Sequence, residues 1–144
     1  MSQQLKTPTL IDVRGPRFSA TITVIVLAIA LATQNAWVLA FQAVVFAIGA
    51  IRGPQFTPYA FIFKRVVKPL LRGEVVTEDS RPPQFAQTVG FLFALVGLLG
   101  AAIGSVPVFS IAVGFALAAA FLNSVFNYCL GCEMYLLVLR IRTR

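Results

Sequence analysis

FSATITVIVLAIALAT (Phe18–Thr33), QN (Gln34–Asn35) and AWVLAFQAVVFAIGAI (Ala36–Ile51) are the stretch that decides the fold. Two charge-free apolar runs are separated by a single polar dipeptide. Each run is sixteen residues long, short against the roughly 20 that cross a bilayer core unless flanking residues are counted. The pattern predicts a tight helical hairpin that crosses and returns, over about 18–34 and 36–52; a shallow re-entrant pair is the alternative. Trp37 beside the turn suits an anchor at the far interface. The basic lead, the apolar run and Ala30-Leu31-Ala32 also resemble a secretory signal peptide. A second apolar run follows at once, which favours an uncleaved first helix.

Composition supports a membrane class. Of 144 residues, 58% are hydrophobic and 12% charged, and the mean hydropathy is +0.85. A soluble domain carries about 25% charged residues. The chain has no histidine and five acids, which argues against a paired-carboxylate hydrolase, a histidine base and a carboxylate-rich metal site. No nucleophile elbow, phosphate loop or dinucleotide fingerprint is present. The net charge of +7 is placed to meet a membrane surface, not nucleic acid.

Downstream, Arg52 to Gln84 is the one long polar connection. Thr57-Pro58 reads as a cap followed by proline at the first helical position. From there to about residue 71, helical spacing collects Lys64, Arg65, Lys68 and Arg72 on one face. Ile62, Phe63, Val66, Val67, Leu70 and Leu71 fall on the other, a pattern for an interfacial helix. Phe61 breaks the pattern by lying on the basic face, and Pro69 is expected to kink the last turn. Glu74, Glu78 and Asp79 read as an acidic loop. A third run follows over about 85–104, and Gly100 and Gly104 form a G-x-x-x-G that would let a second helix approach closely. A fourth run starts at Pro107, and about twenty residues take it to 127. Met134 to Ile141 then reads as an interfacial helix or an extension of the fourth. The expected fold is all-α: one domain, 1–144, an integral membrane four-helix bundle with an amphipathic interfacial helix in the long central connection.

All twelve Lys and Arg residues lie in the N-terminal lead, the long connection or the C-terminal end, and the turns at 34–35 and 104–107 carry none. With four crossings, the positive-inside rule puts both termini in the cytoplasm. Asn127-Tyr128-Cys129-Leu130-Gly131-Cys132-Glu133 then falls toward the cytoplasmic face and holds both cysteines. Two thiols in C-x-x-C can close a disulfide, bind a soft metal or carry sulfur. In a reducing compartment they are expected mostly as thiols, close enough to bridge without large movement. Gly131 is expected to loosen the helix between them. Two small packing side chains are the plainer alternative. Asn123 and Asn127 join the pair only if the helix breaks; otherwise they bond between helices, as Gln42 does.

Asp12-Val13-Arg14-Gly15-Pro16-Arg17-Phe18, Arg81-Pro82-Pro83-Gln84-Phe85-Ala86-Gln87 and Asn127-Tyr128-Cys129-Leu130-Gly131-Cys132 resemble the bacterial membrane family called domain of unknown function 4395. The resemblance covers nearly the whole chain, with Asp12, Arg14, Arg17, Arg81, Pro82, Phe85, Gln87, Cys129 and Cys132 at the matching positions. It implies a four-helix protein of the bacterial cytoplasmic membrane, an actinobacterial type of host, and a link to thioredoxin-like or sulfurtransferase proteins.

The leading expectation is a membrane thiol protein. Cys129 and Cys132 would perform redox or sulfur transfer with a thioredoxin-like or rhodanese-like partner. Asp12, Arg14, Arg17, Arg81, Asn123 and Asn127 would brace the helices or dock that partner. Soft-metal handling by the cysteine pair, and an accessory subunit or homo-oligomer packed in a larger membrane complex, are the alternatives. No cofactor is expected.

Overall fold

Arg14 begins the first helix, four residues ahead of the apolar run. Gly15 and Pro16 lie inside its first turn, where the N–H that proline lacks would have no helical partner anyway. The computed structural model describes residues 10–71, 73, 76–126 and 128–142. Helix α1 spans Arg14–Thr33 and α2 spans Ala36–Ile51. The dipeptide between them has two tasks. Gln34 turns the chain through a left-handed conformation at φ 52°, and the Asn35 side chain caps α2 by accepting the Trp37 N–H at 2.9 Å. Trp37 itself is 84% exposed beside the turn.

The central connection differs from the single amphipathic helix expected. After a short 3-10 turn at Pro54–Phe56, α3 runs over Pro58–Ile62 and opens into a wider π turn at Phe63–Val67. It tightens to 3-10 at Lys68–Leu70. Thr57 caps α3, its hydroxyl accepting the Ala60 N–H at 3.2 Å. Pro69 accounts for the loss of regular helix, because it offers no N–H to the Arg65 carbonyl and its ring crowds that group. The buried face is Tyr59, Ala60 and Phe63, whereas Ile62, Val66 and Leu70 stay exposed. Phe61 lies under the Arg65 guanidinium, 4.9 Å from ring centroid to cation, which gives an aromatic ring a place on a basic face.

Two short strands went unforeseen. β1 (Leu10–Asp12) pairs antiparallel with β2 (Thr77–Asp79), Leu10 opposite Asp79, Ile11 opposite Glu78 and Asp12 opposite Thr77. Glu78 and Asp79 therefore belong to a strand and not to a loop. Three residues are too few to show a two-residue period.

Helix α4 (Arg81–Ala102) also starts early and takes Pro82 and Pro83 into its first turn. It meets α5 (Val106–Phe126) through Gly104, whose φ of +75° suits a residue without a side chain. The Ser105 N–H donates to the Gly100 carbonyl at 2.7 Å and the Gly104 N–H to that of Ala101 at 3.2 Å, closing the helix end. Gly104 is thus a turn residue with nothing packed on it, whereas Gly100 does let a second helix approach: a Cβ there would sit 2.7 Å from the Phe109 backbone N of α5. Two more glycines of α4 allow close approach to α2: a Cβ at Gly97 would sit 2.7 Å from the Leu39 side chain, and one at Gly90 2.8 Å from the Phe46 ring.

Helix α1 neighbours α2 and α5, and α4 neighbours the same two. Leu27, Leu39, Phe46, Ala94, Phe109 and Val113 fill the space between them. Of the helices, α1, α4 and α5 are long and apolar enough to cross a membrane, and α2 is apolar but shorter.

Candidate functional site

The fourth apolar run does not continue to its end as one helix. Helix α5 stops at Phe126, and α6 (Leu130–Arg142) starts after three intervening residues. The Tyr128 N–H reaches back to the Leu122 carbonyl at 3.1 Å. Arg17 of α1 donates to the Ser124 and Val125 carbonyls at 3.0 and 3.4 Å. A cation there meets carbonyls that the helix end leaves without partners. Thr21 adds a hydroxyl contact to Ser124 at 3.0 Å.

Cys129 sits in the break, at the foot of α6. Its carbonyl accepts the Glu133 N–H at 3.0 Å, and its sulfur accepts the Cys132 N–H at 3.1 Å. The two sulfurs are bonded at 2.07 Å, with Cα atoms 5.2 Å apart. The expectation that the pair can bridge without large movement matches this geometry. Both cysteines are partly exposed.

Gly131 has a different task from the one expected. The break precedes Cys129, and Gly131 is helical. A Cβ on it would lie 2.5 Å from both Cα and Cβ of Ala86 on α4. The glycine lets α6 cross α4 in backbone contact. One turn on, the Tyr135 and Phe85 rings pack with centroids 5.7 Å apart. The pair is therefore held from two sides, by Arg17 on the end of α5 and by α4 under α6.

The other candidate residues lie nearer the strands. Arg14 forks onto Asp12 at 2.8 Å and Arg81 onto Asp79 at 2.6 Å, and in both cases the arginine N–H also bonds the same carboxylate. Lys68 stands 3.8 Å from Asp12. The Arg14 hydrogen bonds hold the Asp12 carboxyl below its ordinary range, and those of Arg81 do the same for Asp79. Burial, helped by the Asp79 charge, raises Glu78. Asn123 is half-buried on α5 and makes no hydrogen bond to either cysteine, while Asn127 lies outside the described residues.

Sequence reasoning placed Gln42 between helices but missed its partner. Gln42 is fully buried, accepts from the Tyr59 hydroxyl at 2.7 Å and reaches Thr23 at 3.5 Å. Burial pushes the Tyr59 hydroxyl up to about 12. A tyrosine opening a surface segment, seventeen residues from a lone mid-run glutamine, is the only trace of this in the sequence.

A protein-family model described as "Domain of unknown function (DUF4395)" matches residues 11–140. No curated protein and no solved structure matches the chain.

Proposed function

The chain belongs to that family of unknown function, and we propose that it is a four-crossing membrane thiol protein whose Cys129–Cys132 pair exchanges electrons or sulfur with a soluble partner. In this reading α2 supplies the fourth crossing, its sixteen residues completed by neighbours at either end. Both termini and the α3 segment face the cytoplasm of a bacterial inner membrane, because every Lys and Arg falls on that side. The α3 segment rests in the headgroup layer.

The observation that carries the reading is the position of Cys129. Its sulfur accepts a backbone N–H at the start of a thirteen-residue helix, and such donors favour a thiolate over a thiol. In the reduced pair, Cys129 would attack a disulfide of a thioredoxin-like protein and release one partner thiolate. The Cys132 thiol would lose its proton and attack Cys129 in the mixed disulfide, releasing the second. The pair ends oxidised and the partner's disulfide reduced, two electrons having moved. With a rhodanese-like donor, Cys129 would instead take the outer sulfur of a persulfide and leave the donor thiol.

Three variants test this in cells. Cys132→Ser should accumulate a mixed disulfide with a soluble protein, because the resolving thiol is gone, and Cys129→Ser should not. A Cys129→Ser/Cys132→Ser chain that complements a deletion as well as the parent would show the pair to be packing residues.

A further inference from the structure

The two Asp-x-Arg forks belong to a larger correspondence. Asp12-Val13-Arg14-Gly15-Pro16-Arg17-Phe18-Ser19-Ala20-Thr21 and Asp79-Ser80-Arg81-Pro82-Pro83-Gln84-Phe85-Ala86-Gln87-Thr88 share Asp, Arg, Pro, Phe and Thr at one constant interval. We propose that the chain is a tandem duplication of one β-α-α-α unit, its halves related by a two-fold axis along the helices. The second half's counterpart of α3 is then α6, and both helices rest on anionic lipid headgroups of one leaflet. The lipid part depends on the four-crossing reading above and is independent of the redox reading.

Five observations support the duplication. In the strand pair Ile11 faces Glu78, its own counterpart, and the flanking pairs Leu10–Asp79 and Asp12–Thr77 exchange under a half-turn. Arg17 and its counterpart Gln84 each cap the last turn of the other half's second helix, Arg17 on Ser124 at 3.0 Å and Gln84 on Ala50 at 2.8 Å. The Thr21 hydroxyl donates to the Arg17 carbonyl at 3.0 Å and its counterpart Thr88 to the Gln84 carbonyl at 3.1 Å. Core positions of the second helices pair at an interval of their own, 70 residues against 67 for the Asp-x-Arg stretches: Leu39 with Phe109, Ala43 with Val113, Phe46 with Ala116. Finally, Phe63 of the α3 segment packs on Phe18 and Tyr135 of α6 packs on Phe85, both at 5.7 Å, and Phe18 and Phe85 are themselves counterparts.

A parallel repeat turns about the membrane normal, so matching elements share a depth and a side. The α3 segment leaves Val66 57% exposed beside Lys64 and Arg65, and α6 leaves Leu137 54% exposed. Exposed apolar side chains beside cations match acyl chains below phosphates. The halves have also diverged. The buried Gln42 of the first half has Ala112 as its counterpart, and only the second half carries cysteines. The thiol pair is thereby set in the headgroup layer.

Two experiments on the full chain, in the Cys129→Ser/Cys132→Ser background, test the two parts. Arg17→Gln/Gln84→Arg should keep the parent melting temperature in detergent, since each side chain enters an equivalent cap, while Arg17→Ala/Gln84→Ala should lower it. An interchange as damaging as the alanine pair overturns the duplication. Val66→Cys and Leu137→Cys, spin-labelled in phosphatidylglycerol-containing vesicles, should both report headgroup depth in the same leaflet. A Leu137→Cys label in water, at the bilayer centre or in the opposite leaflet overturns the assignment of α6.

Discussion

Gly131 has room for a hydrogen and nothing larger. A Cβ built on it would lie 2.5 Å from Ala86, so α4 and α6 meet there in backbone contact. Gly131→Ala should destabilise the folded chain by about 1–3 kcal/mol, the range for overpacking. It should also lift α6 and loosen the Phe85–Tyr135 contact. Melting of the purified chain reads the first effect. Slower bridging of Cys129 and Cys132 under a mild oxidant reads the second, and an unchanged bridging rate would place the thiols outside the influence of this crossing. Gln42 is the other residue with no slack. Gln42→Leu leaves the Tyr59 hydroxyl buried without its acceptor, which should cost about 1–3 kcal/mol. Tyr59→Phe/Gln42→Leu should recover most of it, and a double variant no better than the single would show that the bond carries little.

At the scale of elements, the strand pair is held by carboxylates whose titration sets its stability. Asp12 and Asp79 are lowered by their arginine hydrogen bonds. Their contribution is present above the ordinary carboxylate range and lost as pH falls through the lowered values. Glu78 is raised by burial, so it favours folding when protonated and costs stability as pH rises through its own titration. The melting temperature should therefore rise slightly on mild acidification and fall below about pH 4. Asp12→Asn/Asp79→Asn should flatten the acid limb and Glu78→Gln should raise the neutral plateau, both read from melting against pH. An acid limb unchanged in the double Asn variant would show that other carboxylates govern it. The α3 segment makes a related point: Pro69→Ala returns an N–H to the Arg65 carbonyl, and should lengthen the helix seen by circular dichroism.

For the whole molecule, the four-crossing reading predicts that single cysteines at Asn35 and Ser105, in a cysteine-free chain, react with an impermeant maleimide from outside the cell. Cysteines at Lys64 and Glu78 should react only after permeabilisation. If Asn35 and Ser105 label from opposite sides, the hairpin of α1 and α2 does not cross twice and the re-entrant alternative holds.

Most helices were legible in the residues because a bilayer imposes its own rule. Long charge-free runs must be helical where no water can satisfy the backbone, so Phe18–Thr33, the run from Phe85 and the run from Pro107 declared themselves. The cap at Thr57 and the nearness of the two cysteines were legible too, being matters of a few neighbouring residues. Tertiary structure decided what depends on distant partners. Prolines 16, 82 and 83 lie ahead of the apolar runs in the sequence, yet sit inside the first turns of α1 and α4. The strands β1 and β2 exist only because each finds the other across the chain. Gly104 and Gly131 exchanged their expected tasks, since a glycine's use follows from what lies within van der Waals reach of its absent side chain. The break between α5 and α6, which puts Cys129 at a helix start, is held by Arg17 from the far end of the sequence. No local pattern encodes a contact of that separation.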